Sequence, residues 1–170
     1  MKTVLFICTG NSCRSPMAEH IMKSLIKKDE RFAQINVESA GTMAFEGAPI
    51  SDFAAKALAH LGFGSVKHSA RQLTKELCRA ADLILAMHAH HLDELEAVCA
   101  KARKNAFTLK GYAQGADCFA KDEKYNISDP YMQPLNIYIN TAHELKQAIE
   151  NALERMAEEA EIKTKDDNGE

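Results

Sequence analysis

The sequence lacks the features that define several large classes of protein. Its formal net charge is −3, so no global basic field exists to attract nucleic acid or an acidic membrane surface. No apolar run is long enough to cross a membrane, and the N-terminal run over residues 4–8 is too short for the core of a signal peptide. The chain also contains no internal repeat and no low-complexity segment. These absences predict that it binds neither nucleic acid nor membrane.

The cysteines form no paired framework. Their number is odd, and they are scattered as Cys8, Cys13, Cys78, Cys99 and Cys118. The sequence therefore disfavours a disulfide-stapled secreted scaffold, and reduced thiols favour a cytoplasmic location. The length of 170 residues is enough for one well-cored domain and too short for two domains of ordinary size.

Apolar strand patterns alternate with helical patterns along the chain. Strands are predicted at residues 2–8, 35–40, 82–87 and 106–109. Helices are predicted from an N-cap at Ser15 with Pro16 in the first helical position, then at 51–61, at 89–100, and from about 136. This alternation predicts an α/β fold, a doubly wound four-stranded parallel sheet with helices on both faces.

Two further segments have no clear sheet or core role. Residues 110–134 show no sustained period and are predicted to be a long surface loop, which in a compact domain is usually functional or disordered. Residues 158–170 read as a charged, frayed C-terminal tail. The sequence thus predicts a single domain over residues 1–157 followed by this tail.

The stretch CTGNSCRS, residues 8–15, follows the first strand and precedes the first helix. In an open α/β sheet, ligands bind at the carboxyl ends of the strands, and the loop after the first strand is the usual anion site. Backbone N–H groups at the start of the helix point into one concavity, and the helix dipole adds positive potential there. The loop is therefore predicted to bind a phosphate-like anion.

The side chains of this loop suit phosphate chemistry. Gly10 permits backbone conformations that most side chains cannot adopt, and Asn11 tolerates the left-handed region. Arg14 offers a planar fork that binds two oxygens of a tetrahedral anion. Cys8 lies at the base of the same electropositive cup, which favours a nucleophilic thiolate. Ser15 at the helix start is placed to donate its hydroxyl to that sulfur.

Phosphoryl transfer to sulfur also needs an acid that protonates the leaving oxygen. Asp129, in the long predicted loop, is the candidate because Pro130 stiffens the backbone beside it. From composition alone, an Asp-Pro pair is more often a simple turn, so the residue pattern leaves both interpretations open.

Five segments together resemble the low molecular weight protein tyrosine phosphatases, in order and over nearly the whole chain. The segments are VLFICTGNSCRSPMAE at 4–19, SAG at 39–41, HSARQLTKEL at 68–77, DLILAM at 82–87 and DPY at 129–131. The resemblance implies a protein phosphatase that acts on phosphorylated proteins, without metal or cofactor. It implies that Cys8 forms a phosphocysteine, that Arg14 binds phosphate, and that Asp129 is general acid and then base.

The resemblance also implies roles for the residues around these three. The supporting hydrogen-bond network would contain Asn11, Ser15, Ser39 and His68. Substrate or phosphate would contact the remaining loop residues and one aromatic: Thr9, Gly10, Asn11, Ser12, Cys13, Ser15 and Tyr131. Cys13 would lie beside Cys8, where a reversible protective disulfide and simple packing are both open. By position alone, Met43, Phe45 and Glu46 would line the cleft, because they follow the second strand at its carboxyl end.

Substrate preference is a choice between two phosphorylated residues. Tyrosine-specific relatives often carry two aromatics after Asp-Pro, whereas here Tyr131 is followed by Met132. The related protein-arginine phosphatases resemble the loop but have threonine at the position of Ser12. Because Tyr131 keeps an aromatic beside the acid and the HxARQ segment is present, phosphotyrosine is favoured and phosphoarginine is the alternative.

Two other classes of site were weighed. The same loop occurs in thioredoxin-coupled arsenate reductases, but these need two cysteines close together after the third strand, and here Cys99 follows a whole helix later. The cluster His88, His90 and His91 raises the possibility of a metal site, but no full ligand set is evident beside it. A solvated helix start is favoured for these histidines, and no metal site is predicted.

Overall fold

The structure is a computed structural model that describes residues 2–168. Its four strands are β1 (Lys2–Cys8), β2 (Ile35–Gly41), β3 (Leu83–Ala86) and β4 (Ala106–Thr108). The helices are α1 (Arg14–Ile26), α2 (Asp52–His60), α3 (Lys75–Ala80), α4 (Ala89–Cys99), α5 (Leu109–Ala113) and α6 (Leu135–Asn168). All strand pairs are parallel, and their order is β2-β1-β3-β4.

The central strand β1 is buried on both faces, which explains its unbroken apolar sequence. Val4, Phe6 and Cys8 belong to one apolar core, and Leu5 and Ile7 belong to another on the opposite face. The first core is covered by α1, α2 and α6, and the second by α3 and α4. The predicted doubly wound four-stranded sheet with helices on both faces is confirmed.

The start of α1 differs from the prediction. The helix begins at Arg14 with Cys13 as its N-cap residue, so Ser15 is not the cap. Pro16 is the third helical residue, a position that proline tolerates because the first-turn N–H groups have no partner within the helix. No side chain caps this helix, so its first N–H groups are available to an anion.

The segment from 110 to 134 is more ordered than its sequence suggests. It contains most of α5 and a short 3₁₀ turn at Glu123–Tyr125, so the prediction of an unstructured loop is wrong for these residues. Helix α3 was not predicted, because it has only six residues and no clear helical period.

The last helix is longer than predicted. It begins at Leu135 and continues to Asn168, so most of the segment expected to be a frayed tail is helical. Residues 169–170 lie outside the described chain, and the domain limits of 1–157 stay a prediction. None of the helices within residues 2–168 is long and apolar enough to cross a membrane.

Strand order places one crevice at the carboxyl edge of the sheet. The chain passes from β1 to β2 on one side of β1 and then crosses to β3 on the other side. The loops that leave β1 and β3 therefore diverge, and ligands bind at such a switch point in open α/β sheets. Residues 9–13 and the start of α4 meet at this crevice.

Candidate active site

The loop after β1 turns at Asn11, which has a left-handed backbone with φ 51°. Asparagine is one of the few residues besides glycine that adopts this conformation at low cost. Gly10 has no positive φ, so the expectation that it supplies the unusual backbone conformation is wrong. His68 Nε2 donates to the carbonyl oxygen of Asn11 over 2.7 Å and holds the turn from outside.

The segment after β2 supports the loop through its carbonyl groups. The N–H groups of Thr42, Met43 and Ser51 donate to the carbonyl oxygens of Cys8, Thr9 and Ser12 at 2.8 to 2.9 Å. This close packing requires Gly41, where an added Cβ would lie 2.5 Å from the carbonyl oxygen of Thr9 and 3.0 Å from the nitrogen of Asn11. Because these carbonyl groups point outward and accept hydrogen bonds, the N–H groups line the inner side of the loop.

The side chain of Asn11 is fully buried, and its orientation is determined by its partners. The backbone N–H of Arg71 donates to Asn11 Oδ1 at 2.9 Å, and an N–H can only donate. The amide nitrogen Nδ2 therefore faces Ser15 Oγ at 2.9 Å and Ser39 Oγ at 2.8 Å. Asn11 donates one proton to each serine, so each hydroxyl keeps its own proton for another acceptor.

Each of the two serine protons has one nearest acceptor. Ser39 donates to Glu19 Oε2 at 2.5 Å. Ser15 Oγ lies 2.9 Å from Cys8 Sγ, and its distance to its other acceptor, the carbonyl of Ala40, is 3.5 Å. The geometry thus directs the Ser15 proton to the sulfur, where it stabilises a thiolate more than a neutral thiol.

Replacing Ser15 by alanine should lower kcat/KM at neutral pH by about 10- to 100-fold. The reason is that a hydrogen bond to a charged group contributes about 1.5–3 kcal/mol. The matched control is Ser24→Ala on the same helix, because Ser24 Oγ bonds to the carbonyl of His20. An unchanged kcat/KM in Ser15→Ala would show that this hydroxyl does not stabilise the thiolate.

Arg14, the first residue of α1, is 4% exposed. Its Nη2 donates to Asp129 Oδ2 at 2.6 Å. Its Nη1 is buried and has no hydrogen-bond partner among the described residues. A buried guanidinium N–H without an acceptor is costly, and an anion in the loop would supply the acceptor.

The segment that carries Asp129 is attached to the end of the sheet. The N–H of Ile127 donates to the carbonyl of Met87 at 2.8 Å, and Ile127 is buried. Asn126 Oδ1 accepts from the N–H of Ala89 at 2.9 Å. These bonds place Asp129, half of whose side chain is exposed, over the loop that follows β1.

Cys13 differs from Cys8 in its surroundings. Burial raises the pKa of the Cys13 thiol to about 12, with a further increase from the neighbouring Cys8. Cys13 is therefore a neutral thiol at physiological pH. All five cysteines are free, and a disulfide between Cys8 and Cys13 stays a prediction.

His91 is fully buried rather than solvated, contrary to the expectation for the histidine cluster. Burial, together with the charges of His90 and Arg14, lowers the pKa of His91 to about 2. Its Nε2 lies 3.0 Å from Thr9 Oγ1, so this neutral imidazole contacts the anion-binding loop directly. His88 caps α4 by accepting the N–H of His90.

Apolar side chains form an exposed rim near the loop. Met43 and Phe45 follow β2, and Tyr131 and Met132 follow Asp129; they are between 71% and 84% exposed. Glu46, expected to line the cleft, instead accepts the backbone N–H of Gln72 at 2.7 Å. Exposed apolar residues of this size are typical of a binding surface.

Sequence reasoning missed four residues that support the site. Glu19 accepts the Ser39 hydroxyl, and Arg71 donates from Nε to the carbonyl of Ser39 at 2.8 Å. Gln72 bonds both to Ala44 N and to the carbonyl of Thr42, and His91 contacts Thr9. Glu19, Arg71 and Gln72 lie inside the segments that carry the family resemblance, and this position could have identified them as supporting residues.

The fold is a parallel α/β sheet, and its first loop brings together a thiol, a buried arginine and helix N–H groups that have no side-chain cap. This combination is typical of an anion-binding enzyme of the phosphatase class. The family model "Low molecular weight phosphotyrosine protein phosphatase" matches residues 3–163. The chain belongs to this family, as its sequence predicted.

Relatives with different substrate names are similar to this chain. A protein-arginine-phosphatase of Bacillus subtilis is 34% identical over 86% of this chain and 91% of its own. The crystal structure of a low molecular weight protein tyrosine phosphatase from T. tengcongensis has a TM-score of 0.81 and 35% identity, covering 91% of this chain and 99% of its own.

A third relative was solved in a phosphorylated form. It is a cysteine-to-serine mutant of the YwlE arginine phosphatase whose active-site serine is phosphorylated. Its TM-score is 0.79 and its identity 31%, with 94% of this chain and 95% of its own covered.

Proposed function

We propose that the protein hydrolyses phosphotyrosine in protein substrates through a phosphocysteine on Cys8. The observation that carries this proposal is the directed hydrogen-bond chain from Arg71 N through Asn11 and Ser15 to Cys8 Sγ. Such a chain stabilises negative charge on the sulfur, and a thiolate is the reactive form of cysteine. The phosphorylated serine of the related arginine phosphatase mutant supports a covalent intermediate at the equivalent step.

In the first step the Cys8 thiolate attacks phosphorus while the bond to the leaving oxygen breaks. The equatorial oxygens are held by Arg14 and by the N–H groups of the loop and of α1. Binding of a dianionic phosphate at Arg14 displaces the Asp129 carboxylate from its ion pair. Asp129 takes up a proton from solvent and delivers it to the leaving oxygen.

In the second step water attacks the phosphocysteine. Asp129, now a carboxylate, takes a proton from that water, and the P–S bond breaks. The sulfur leaves as a thiolate that accepts a hydrogen bond from the Ser15 hydroxyl. Inorganic phosphate departs, Asp129 releases its proton to solvent, and the Arg14–Asp129 ion pair of the resting state is restored.

The exposed aromatic beside the acid supports phosphotyrosine as the substrate. Tyr131 directly follows Pro130 and is 71% exposed, so its ring is available to stack on a phosphotyrosine ring. Phe45, in the segment that follows β2, is 82% exposed. Together they make a rim suited to an aromatic substituent on the phosphate.

Phosphoarginine is the second candidate. It is favoured by the similarity to the arginine phosphatases. It is also favoured by the small polar Ser12, because those phosphatases have a loop that resembles this one, with threonine at the position of Ser12.

The free cysteines favour a reducing compartment, and we propose that the enzyme acts in the cytoplasm.

A side-by-side assay on phosphotyrosine and phosphoarginine peptides of the same sequence tests the proposal. We expect higher kcat/KM on phosphotyrosine, and a Tyr131→Ala variant should lose roughly 2- to 10-fold on that peptide, the value of one aromatic pair. Ile162→Ala is the control, because Ile162 is an exposed apolar residue on α6 and lies outside the rim. Higher kcat/KM on phosphoarginine, with no effect of Tyr131→Ala, would favour the second candidate and move specificity to Ser12.

A further inference from the structure

A second group of ligating side chains lies on α4, behind the anion-binding loop. His90, His91 and Glu94 each place one potential ligand atom within 4.8 Å of the others. Their spacing explains this, because residues three and four apart in a helix share a face. None of the three has a role in the proposed phosphatase mechanism.

Two buried polar atoms of this group lack partners. His91 Nδ1 and Glu94 Oε2 are both inaccessible and form no hydrogen bond among the described residues. His91 as a whole is fully buried, and its other nitrogen is already bonded to Thr9. Buried polar groups normally bond to protein, water or an ion. The two unpartnered atoms, His91 Nδ1 and Glu94 Oε2, therefore indicate a site for a cation that binds both a nitrogen and a carboxylate oxygen.

We propose that His90, His91 and Glu94 bind a Zn²⁺ ion. Two imidazoles and one carboxylate are a ligand set that Zn²⁺ commonly takes, with a fourth position for water, whereas Mg²⁺ and Ca²⁺ prefer oxygen ligands alone. Zinc bonds of about 2.0 Å place tetrahedral ligands roughly 3.3 Å apart. The three potential ligand atoms lie within 4.8 Å of one another, and we expect them to move closer together when the ion binds.

The neighbouring histidine orients one of these ligands. His88 Nδ1 lies 2.8 Å from His90 Nδ1 and also accepts the backbone N–H of His90. We therefore assign the shared ring proton to His90, which leaves His90 Nε2 with a free lone pair. A metal-bound histidine typically donates its second N–H in this way.

Occupancy of this site would act on the phosphatase loop through one imidazole. With Zn²⁺ on His91 Nδ1, the ring proton must be on Nε2, so His91 would donate to Thr9 Oγ1. The Thr9 hydroxyl proton would then be free to turn toward another acceptor. The site therefore joins a metal ion to the loop next to Cys8.

The test uses the metal-free full-length protein and a titration with Co²⁺ as a spectroscopic substitute for Zn²⁺. We expect one equivalent to bind with the visible absorption of a tetrahedral nitrogen and oxygen site, and Zn²⁺ to displace it. Glu94→Gln and His90→Ala should each weaken binding by more than about tenfold, since even indirect partners of a metal contribute 10- to 100-fold. His143→Ala removes an exposed histidine on α6 and should change nothing.

Two outcomes would overturn the proposal. The first is binding of equal strength in Glu94→Gln and the unmodified protein. The second is a near-ultraviolet thiolate-to-cobalt band that disappears in Cys8→Ser, which would place the metal on the active-site cysteine. Zn²⁺ should also raise the Tm of the unmodified protein but not of Glu94→Gln, and this difference separates lost binding from lost folding.

Discussion

Cys8→Ser should lower turnover by at least about four orders of magnitude, as expected when a nucleophile is removed, yet leave phosphate binding intact. A serine hydroxyl is far less acidic than a thiol, so Ser15 and the loop cannot provide its anion at neutral pH. Arg14 and the helix N–H groups are unchanged by the substitution and still hold the anion. Turnover is measured on an aryl phosphate, and binding by calorimetry with inorganic phosphate.

The matched control for this variant is Cys118→Ser. Cys118 is exposed and far in sequence from the loop, so its replacement should leave turnover and phosphate affinity unchanged. Retention of turnover in Cys8→Ser would exclude a covalent mechanism through this sulfur. Loss of phosphate binding in the same variant would instead show that the loop depends on the thiol for its shape.

Asp129→Asn should reduce kcat by about 100- to 10,000-fold on phenyl phosphate, the range of general acid catalysis. The amide has the shape of the carboxyl group but cannot transfer its proton. The loss should be much smaller on p-nitrophenyl phosphate, whose leaving group departs without protonation. The measurement is kcat for both esters at the same pH, in the variant and in the unmodified protein.

Asp122→Asn is the control for Asp129→Asn. Asp122 lies in the same part of the chain and pairs with Lys124 at the surface, so the control should keep normal activity on both esters. Equal losses of Asp129→Asn on the two esters would mean that Asp129 does not protonate the leaving group. Its main role would then be the ion pair with Arg14.

The sheet and its first loop could be predicted because their signals are local. An unbroken apolar run marks β1, and a glycine and an asparagine before a serine-proline pair mark the turn into α1. The start of α1 was placed two residues late, at Pro16 instead of Arg14, because both residues suit a first turn and only the backbone distinguishes them. The short α3 and α5 were missed because five or six residues give no helical period.

The supporting hydrogen-bond network could be predicted only from the family resemblance, because no local sequence pattern connects its residues. Asn11 and the backbone of Arg71 are 60 residues apart, and Arg14 and Asp129 are 115 residues apart. The burial of His91 also could not be predicted from the local sequence. Its sequence reads as a polar helix start, but the crossover to the far side of β1 buries it against Thr9.

The sequence by itself determined the family, the parallel sheet and the loop that carries Cys8 and Arg14, because each is encoded in a short continuous stretch. Only the tertiary structure decided which way the Asn11 amide faces, where the Ser15 proton points, and that a histidine cluster lies behind the loop. Those features come from the packing of β2, β3 and their loops around the end of β1, and such contacts leave no period or spacing in the chain.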